Sequence, residues 1–133
     1  MRTQINVDEL LIRQFKRDWD NGVFCVFEND ETRPPKSEYI NFMSLMGSAS
    51  NISIGRGKKT REFGTIIGEI RVKKHEGKGR AHELSIAFAN IFMNKIIGGY
   101  ISLFEASKEQ VSTKSHYGIN VSIPYQWDWN NGD

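Results

Sequence analysis

Residues 117–129 read YGINVSIPYQWDW. Tyr117, Ile119, Val121, Ile123, Tyr125, Trp127 and Trp129 fill every odd position, with small or polar residues and one proline between them. Such strict alternation is the pattern of a β-strand with one buried face. Pro124 cannot donate a ladder hydrogen bond, which predicts a sheet edge at that point. An edge strand carrying Tyr125, Trp127 and Trp129 is a candidate docking edge for another protein.

Upstream, Ile66, Ile70 and Val72 share one face of a second strand, while Glu69, Arg71 and Lys73 take the other. The Gly-rich turn HEGKGR leads from it into a helix predicted from Ala81 to about Ile97. Ala81, Leu84, Phe88, Ile91 and Phe92 form its core stripe. Ile86, Met93 and Ile97 form a second apolar stripe almost opposite, a candidate oligomer interface. Gly98-Gly99 closes the helix, with Lys95 complementing its C-terminal dipole.

The N-terminal segment predicts another helix. Asn6 is placed as its cap with Glu9 completing a capping box, and Ile5 and Leu10 stand where a hydrophobic staple would sit. Val7, Leu11, Phe15 and Trp19 recur at helical spacing, and Asn21-Gly22 ends the element. Val23 to Phe27 reads as a short buried strand, followed by a polar loop broken by Pro34-Pro35. Tyr39 to Met46 is a strand apolar on both faces, which predicts either a central strand or an outer face covered by another subunit. Between Gly47 and Gly64 the chain is small, flexible and then basic. A projecting arm over about 47–62 is expected there, with Arg56, Lys58, Lys59 and Arg61 as candidate contacts. Tyr100 to Ala106 reads as a strand, and the polar run SKEQVSTKSH connects it to the strand at 117.

The expected fold is α+β, a single domain over residues 1–133 in the order α-β-β-β-α-β-β. A mixed, mainly antiparallel sheet is packed by two helices, with a long projecting hairpin loop and a disordered tail over about 130–133. With 38% apolar and 26% charged residues the composition is that of a soluble globular chain able to build its own core. No apolar run approaches the roughly 20 residues of a membrane span, and the N-terminus lacks the form of a signal peptide. A net charge of +2 is too small to argue for nucleic acid.

Chemistry is sparse. His75, His82 and His116 lack metal-ligand spacing, and the lone Cys25 lies in an apolar strand, as an inert core thiol would. GRGKKT at Gly55 to Thr60 lacks the spacer of a phosphate loop, and EGKGRAHE fits a tight strand-to-helix turn. Glu28, Asp30 and Glu31 lack the regular oxygen spacing of a calcium loop. No catalytic residue, cofactor or metal is expected from these residues.

The run REFGTIIGEIRVKKHEGKGRAHELSIAFANIF, together with the closing GINVSIPYQWDW, resembles the tail terminator-like proteins of long-tailed bacteriophages. The shared pattern is a strand of the form R-x-x-G-x-x-x-x-x-I-x-V, then a Gly-containing turn, a helix ending in Ile-Phe and a last strand ending Ile-Pro-Tyr. This chain departs from it at Lys73-Lys74-His75, where many members carry a proline. The resemblance implies a non-enzymatic virion protein, assembled in the bacterial host cytoplasm. It implies a homo-oligomeric ring, typically a hexamer, that caps the head-proximal end of the tail tube. Its partners would be the tail tube protein and the head-tail connector protein, with DNA only passing through the channel and no membrane involved. The alternatives are another neck or head-closure component, and a phage-encoded nucleic-acid-binding or enzymatic accessory protein.

Overall fold

A computed structural model of the chain describes residues 3–20, 22–27, 37–52, 59–75 and 77–130. Its elements are α1 (Gln4–Asp18), β1 (Phe24–Phe27), β2 (Tyr39–Asn51), β3 (Lys59–Lys73), α2 (Lys78–Phe92), β4 (Ile96–Ile97), β5 (Ile101–Leu103), β6 (Ser107–Ser112) and β7 (His116–Asn130). The fold is α+β, and the expected order α-β-β-β-α-β-β is present with the short strands β4 and β6 added to it. The polar run after Ala106 is therefore partly strand. Its charged residues suit β6 because that strand is exposed along nearly its whole length.

The strands form one sheet in the order β1-β2-β3-β7-β5-β4, with β6 pairing β7 beside β5. β1 runs parallel to β2, and the other pairings are antiparallel. β7 is thus a central strand. β3 pairs β7 from Lys59↔Asn130 to Lys73↔His116, while β6 and β5 take its other side in turn. Pro124 is accommodated without an edge. Its carbonyl accepts from the Phe104 amide at 3.0 Å, so its nitrogen points to that same side, between β6 and β5, and β3 loses no bond.

α1 starts earlier than its sequence suggests. Thr3 is the cap, its Oγ1 accepting from the Asn6 amide at 3.2 Å, and Asn6 sits inside the first turn. Ile5 is 71% exposed, so no staple forms. The helix ends at Trp19, and the left-handed Gly22 (φ 69°) turns the chain into β1. α2 closes at Phe92, with Met93 as its cap and Asn94 at φ 56° redirecting the chain into β4.

Both helices cover the same side of the sheet. Phe15 from α1 is fully buried and lies 4.9 Å from the Phe42 ring of β2, 5.4 Å from Trp19 and 5.9 Å from Phe88 of α2. Gly68 of β3 is what lets α2 approach, since a Cβ there would meet the Phe88 ring at 2.8 Å. The odd residues from Ile119 to Trp127 complete this core. The hairpin of β2 and β3 stays paired to Asn51↔Thr60, past a bulge between Met46 and Ala49. The expected flexible arm is therefore mostly sheet, because β7 flanks it as a third strand. Only residues 53–58 of it, Arg56 and Lys58 among them, lie outside the described residues, as do residues 131–133.

Candidate assembly surfaces

Strand alternation puts Ile40, Phe42, Ile66, Ile70 and the odd residues of β7 on the helix side. The odd residues of β2 before its bulge and of β3, and the even residues of β7, then build the opposite face, which no described helix covers. On it Met43 pairs Ile67, Leu45 pairs Thr65, and Thr65 pairs Pro124. Phe63 pairs Gln126, Gln126 pairs Ser102, and Ser102 pairs Ile96. Phe104 joins this face at the Pro124 carbonyl. Leu45, Phe63, Phe104 and Ile96 remain 43%, 37%, 42% and 68% exposed. Scattered exposed apolar residues are ordinary; these fall in three adjacent cross-strand rows, interspersed with Thr65, Ser122, Gln126 and Ser102, and make a candidate contact surface.

Polar residues frame the band at both ends. Toward the start of β2, Asn41 donates to Glu69 at 3.0 Å and Arg71 donates to Asn120 at 2.8 Å, with Arg71 and Glu69 3.5 Å apart. Gly118 leaves room for this guanidinium, since a Cβ there would meet its Nη1 at 2.6 Å. At the hairpin end Arg61 holds Asp128 with two bonds of 2.9 and 3.2 Å, and Lys59 approaches the same carboxylate at 3.4 Å. The Arg61 hydrogen bonds hold the Asp128 carboxyl below its usual range. Lys59 and Arg61, two of the candidate arm contacts, are thus engaged with their own strand partner on the outer face.

The candidate docking aromatics fare differently. Tyr125 and Trp127 are only 1% and 3% exposed, because a central β7 turns them toward the helices; they are core residues and not a docking edge. Trp129 is half-buried and donates to Glu62 at 3.1 Å. The polar tips of the two buried rings are satisfied by a network under α1. Gln4 Nε2 donates to the Tyr125 hydroxyl at 2.9 Å and to Asp8 at 2.8 Å, while Ser44 donates to Asp8 at 2.8 Å and lies 3.2 Å from the same hydroxyl. Trp127 Nε1 donates to Gln4 Oε1 at 3.3 Å. Burial pushes the Tyr125 phenol above its ordinary pKa. This network locks the first turns of α1 to the sheet.

The second helical stripe breaks apart. Ile86 is 43% exposed on α2, but Met93 is the half-buried cap, and Ile97 lies in β4 and is 7% exposed in the core. The helix stops before the stripe can continue, so these residues do not form one surface. Cys25 is half-buried, its thiol raised by burial and its Sγ donating to the Val23 carbonyl at 3.4 Å. His75 and His82 are exposed, and His116 Nε2 lies 3.2 Å from the Ser37 carbonyl. The acidic residues Glu28, Asp30 and Glu31 and most of GRGKKT lie outside the described residues. Among the described residues, no three His, Cys, Asp or Glu side chains are grouped to hold a metal ion, and no helix is long and apolar enough to cross a membrane.

The outer band was only half visible in the sequence. The two-sided character of Tyr39 to Met46 signalled it, but Phe63, Phe104 and Ile96 come from segments whose register no local pattern gives. No family model matches the chain, and no curated protein does. Among solved structures 11 chains match. One of them, whose name states no function, superposes with a TM-score of 0.61 at 14% identity, covering 90% of this chain and 94% of that one. At that identity the likeness shows a shared fold.

Proposed function

We propose that this chain is a non-enzymatic structural subunit that forms a ring, of six copies, on the head-proximal end of a phage tail tube. There it ends tube polymerisation and offers the joining surface for the head-tail connector. The observation that carries the reading is the sheet face opposite the helices, apolar through Met43, Leu45, Phe63 and Ile67 and open across β2, β3 and β7. A face of this kind needs a protein surface over it, and assembly contacts supply one. The residue pattern from Arg61 to Phe92 and the Ile-Pro-Tyr ending of β7 favour the tail terminator form of assembly. The virion neck is the expected location of the product.

Tube capping is the test. Purified tail tube protein is polymerised with and without this chain, and tube lengths and ends are measured by negative-stain electron microscopy. The expected result is shorter tubes carrying a ring at one end. An unchanged length distribution at molar excess overturns the reading, and binding to connector rings without binding to tube ends would assign the chain to head closure.

A further inference from the structure

We propose that the end of the sheet where β3 stops and α2 begins binds the phosphodiester backbone of a nucleic-acid duplex. The net charge of +2 conceals an uneven distribution. Residues 71–82, RVKKHEGKGRAH, carry five lysines and arginines against one glutamate. The fold adds Lys114 to them. Lys73 pairs His116, the Lys74 amide donates to the Ser115 carbonyl at 3.3 Å, and the Lys74 ammonium donates to the Thr113 carbonyl at 3.1 Å. The turn carrying Lys114 therefore lies beside the end of β3. Lys78, the first residue of α2, holds its ammonium 5.9 Å from the Tyr117 ring of β7. Lys73, Lys74, Lys78 and Lys114 thus share one exposed rim, drawn from three segments.

Two observations say what such a rim fits. First, its charge is left for an outside partner. Glu38 and Glu83, the carboxylates bonded next to it, are both engaged by Arg80, Glu38 through two bonds of 3.0 Å. α2 has no acidic residue in its first turn, and among the described residues no carboxylate pairs with the four lysines. Second, no apolar anchor accompanies it. None of the exposed large apolar residues belongs to residues 71–82 or 111–118, and the nearest by register, Phe24, stands two strands from β3. Protein interfaces are depleted in lysine and centre on apolar or aromatic anchors, whereas a phosphate backbone asks only for exposed cations. Tyr39 and Tyr117, the tyrosines at this end, are half-buried, so neither ring is offered for stacking on unpaired bases. That favours a duplex, bound through its phosphates without regard to sequence.

The test titrates the full chain into a fluorescein-labelled DNA duplex of about 30 base pairs and reads anisotropy from about 50 to about 300 mM salt. Each neutralised phosphate contributes about −0.9 to the slope of log affinity against log salt, so four lysines predict about −3.6. The Lys73→Gln, Lys78→Gln double variant should halve that slope and weaken binding at about 100 mM salt by more than about 10-fold. Lys114→Gln is an independent variant with about half the effect on slope. Lys95→Gln, just past the far end of α2, should change neither quantity. All four positions are exposed, and circular dichroism confirms that each variant is folded. No anisotropy change at about 100 µM protein and about 50 mM salt overturns the inference, as does a slope unaltered in the folded rim variants or an equal loss in Lys95→Gln. Binding to phosphatidylserine vesicles without binding to the duplex also overturns it and assigns the rim to a membrane surface. The tube-length assay reads the capping function separately, so either idea can fail alone.

Discussion

Gly64→Ala should be among the most destabilising single substitutions in the sheet. A Cβ at this position would fall on the Tyr125 ring carbon Cζ and its hydroxyl, and would lie 2.8 Å from the Leu45 carbonyl. Backbone on one side cannot yield. The ring on the other is 1% exposed and tied by its hydroxyl to Gln4 and Ser44, so it can retreat only by giving up those bonds. Overpacking costs about 1–3 kcal/mol and each lost hydrogen bond about 0.5–1.5 kcal/mol, which places the total near 4 kcal/mol. With a urea m-value of about 2 kcal/mol/M, the unfolding midpoint should fall by about 2 M. Urea titrations followed by tryptophan fluorescence and far-UV circular dichroism give the shift. Gly79→Ala is the matched control, since a Cβ there meets nothing within 4 Å in the first turn of α2, and it should stabilise by about 0.5–1 kcal/mol. Tyr125→Leu in the Gly64→Ala background should recover part of the loss. A midpoint within about 0.5 M of wild type, or a double-mutant cycle with coupling under about 0.5 kcal/mol, would refute the steric argument.

Phe15→Ala should cost about 3–5 kcal/mol, because five aromatic rings pack around this fully buried side chain; thermal unfolding by calorimetry checks it. Thr3→Ala should cost about 1 kcal/mol and Asn6→Ala clearly less, the reverse of what a cap at Asn6 requires, as chemical denaturation of the two variants will show. Acid sensitivity should centre on Asp128 and Glu38, whose carboxyls are held below their usual range by hydrogen bonds from Arg61 and Arg80. A lowered folded pKa adds stability above the unfolded pKa, and that stability is lost as pH falls through the folded pKa. Urea midpoints measured from about pH 6 down to about pH 2.5 should therefore decline, and the Glu38→Gln, Asp128→Asn double variant should flatten that decline.

The two helices and the long strands were legible because each buries one face continuously, so period 3.6 or period 2 is written along the chain. What the sequence could not supply was neighbourhood. Pro124 looked like an edge residue because local rules see a missing donor, and only the tertiary arrangement reveals that its nitrogen falls between β6 and β5. The Ile86, Met93, Ile97 stripe assumed a helix that runs on, whereas Asn94 turns the backbone and converts Ile97 into a core strand residue. β6 carries too little apolar content to announce itself and is strand because β7 offers it a partner. The outer band is likewise a product of register, assembled from separate strands that align only once the sheet exists.

The central place of β7 has a consequence for synthesis. Translation reaches this strand after every other described element, at about 5–20 residues per second. Until it arrives, one whole edge of β3 has no partner, β6 has no strand to join, and β5 has only the two-residue β4. The nascent chain therefore carries an open, apolar edge for several seconds, and its final architecture closes in a single late step. Ribosome-bound chains stopped before His116 should depend on chaperones, while chains that have exposed Asn130 should not.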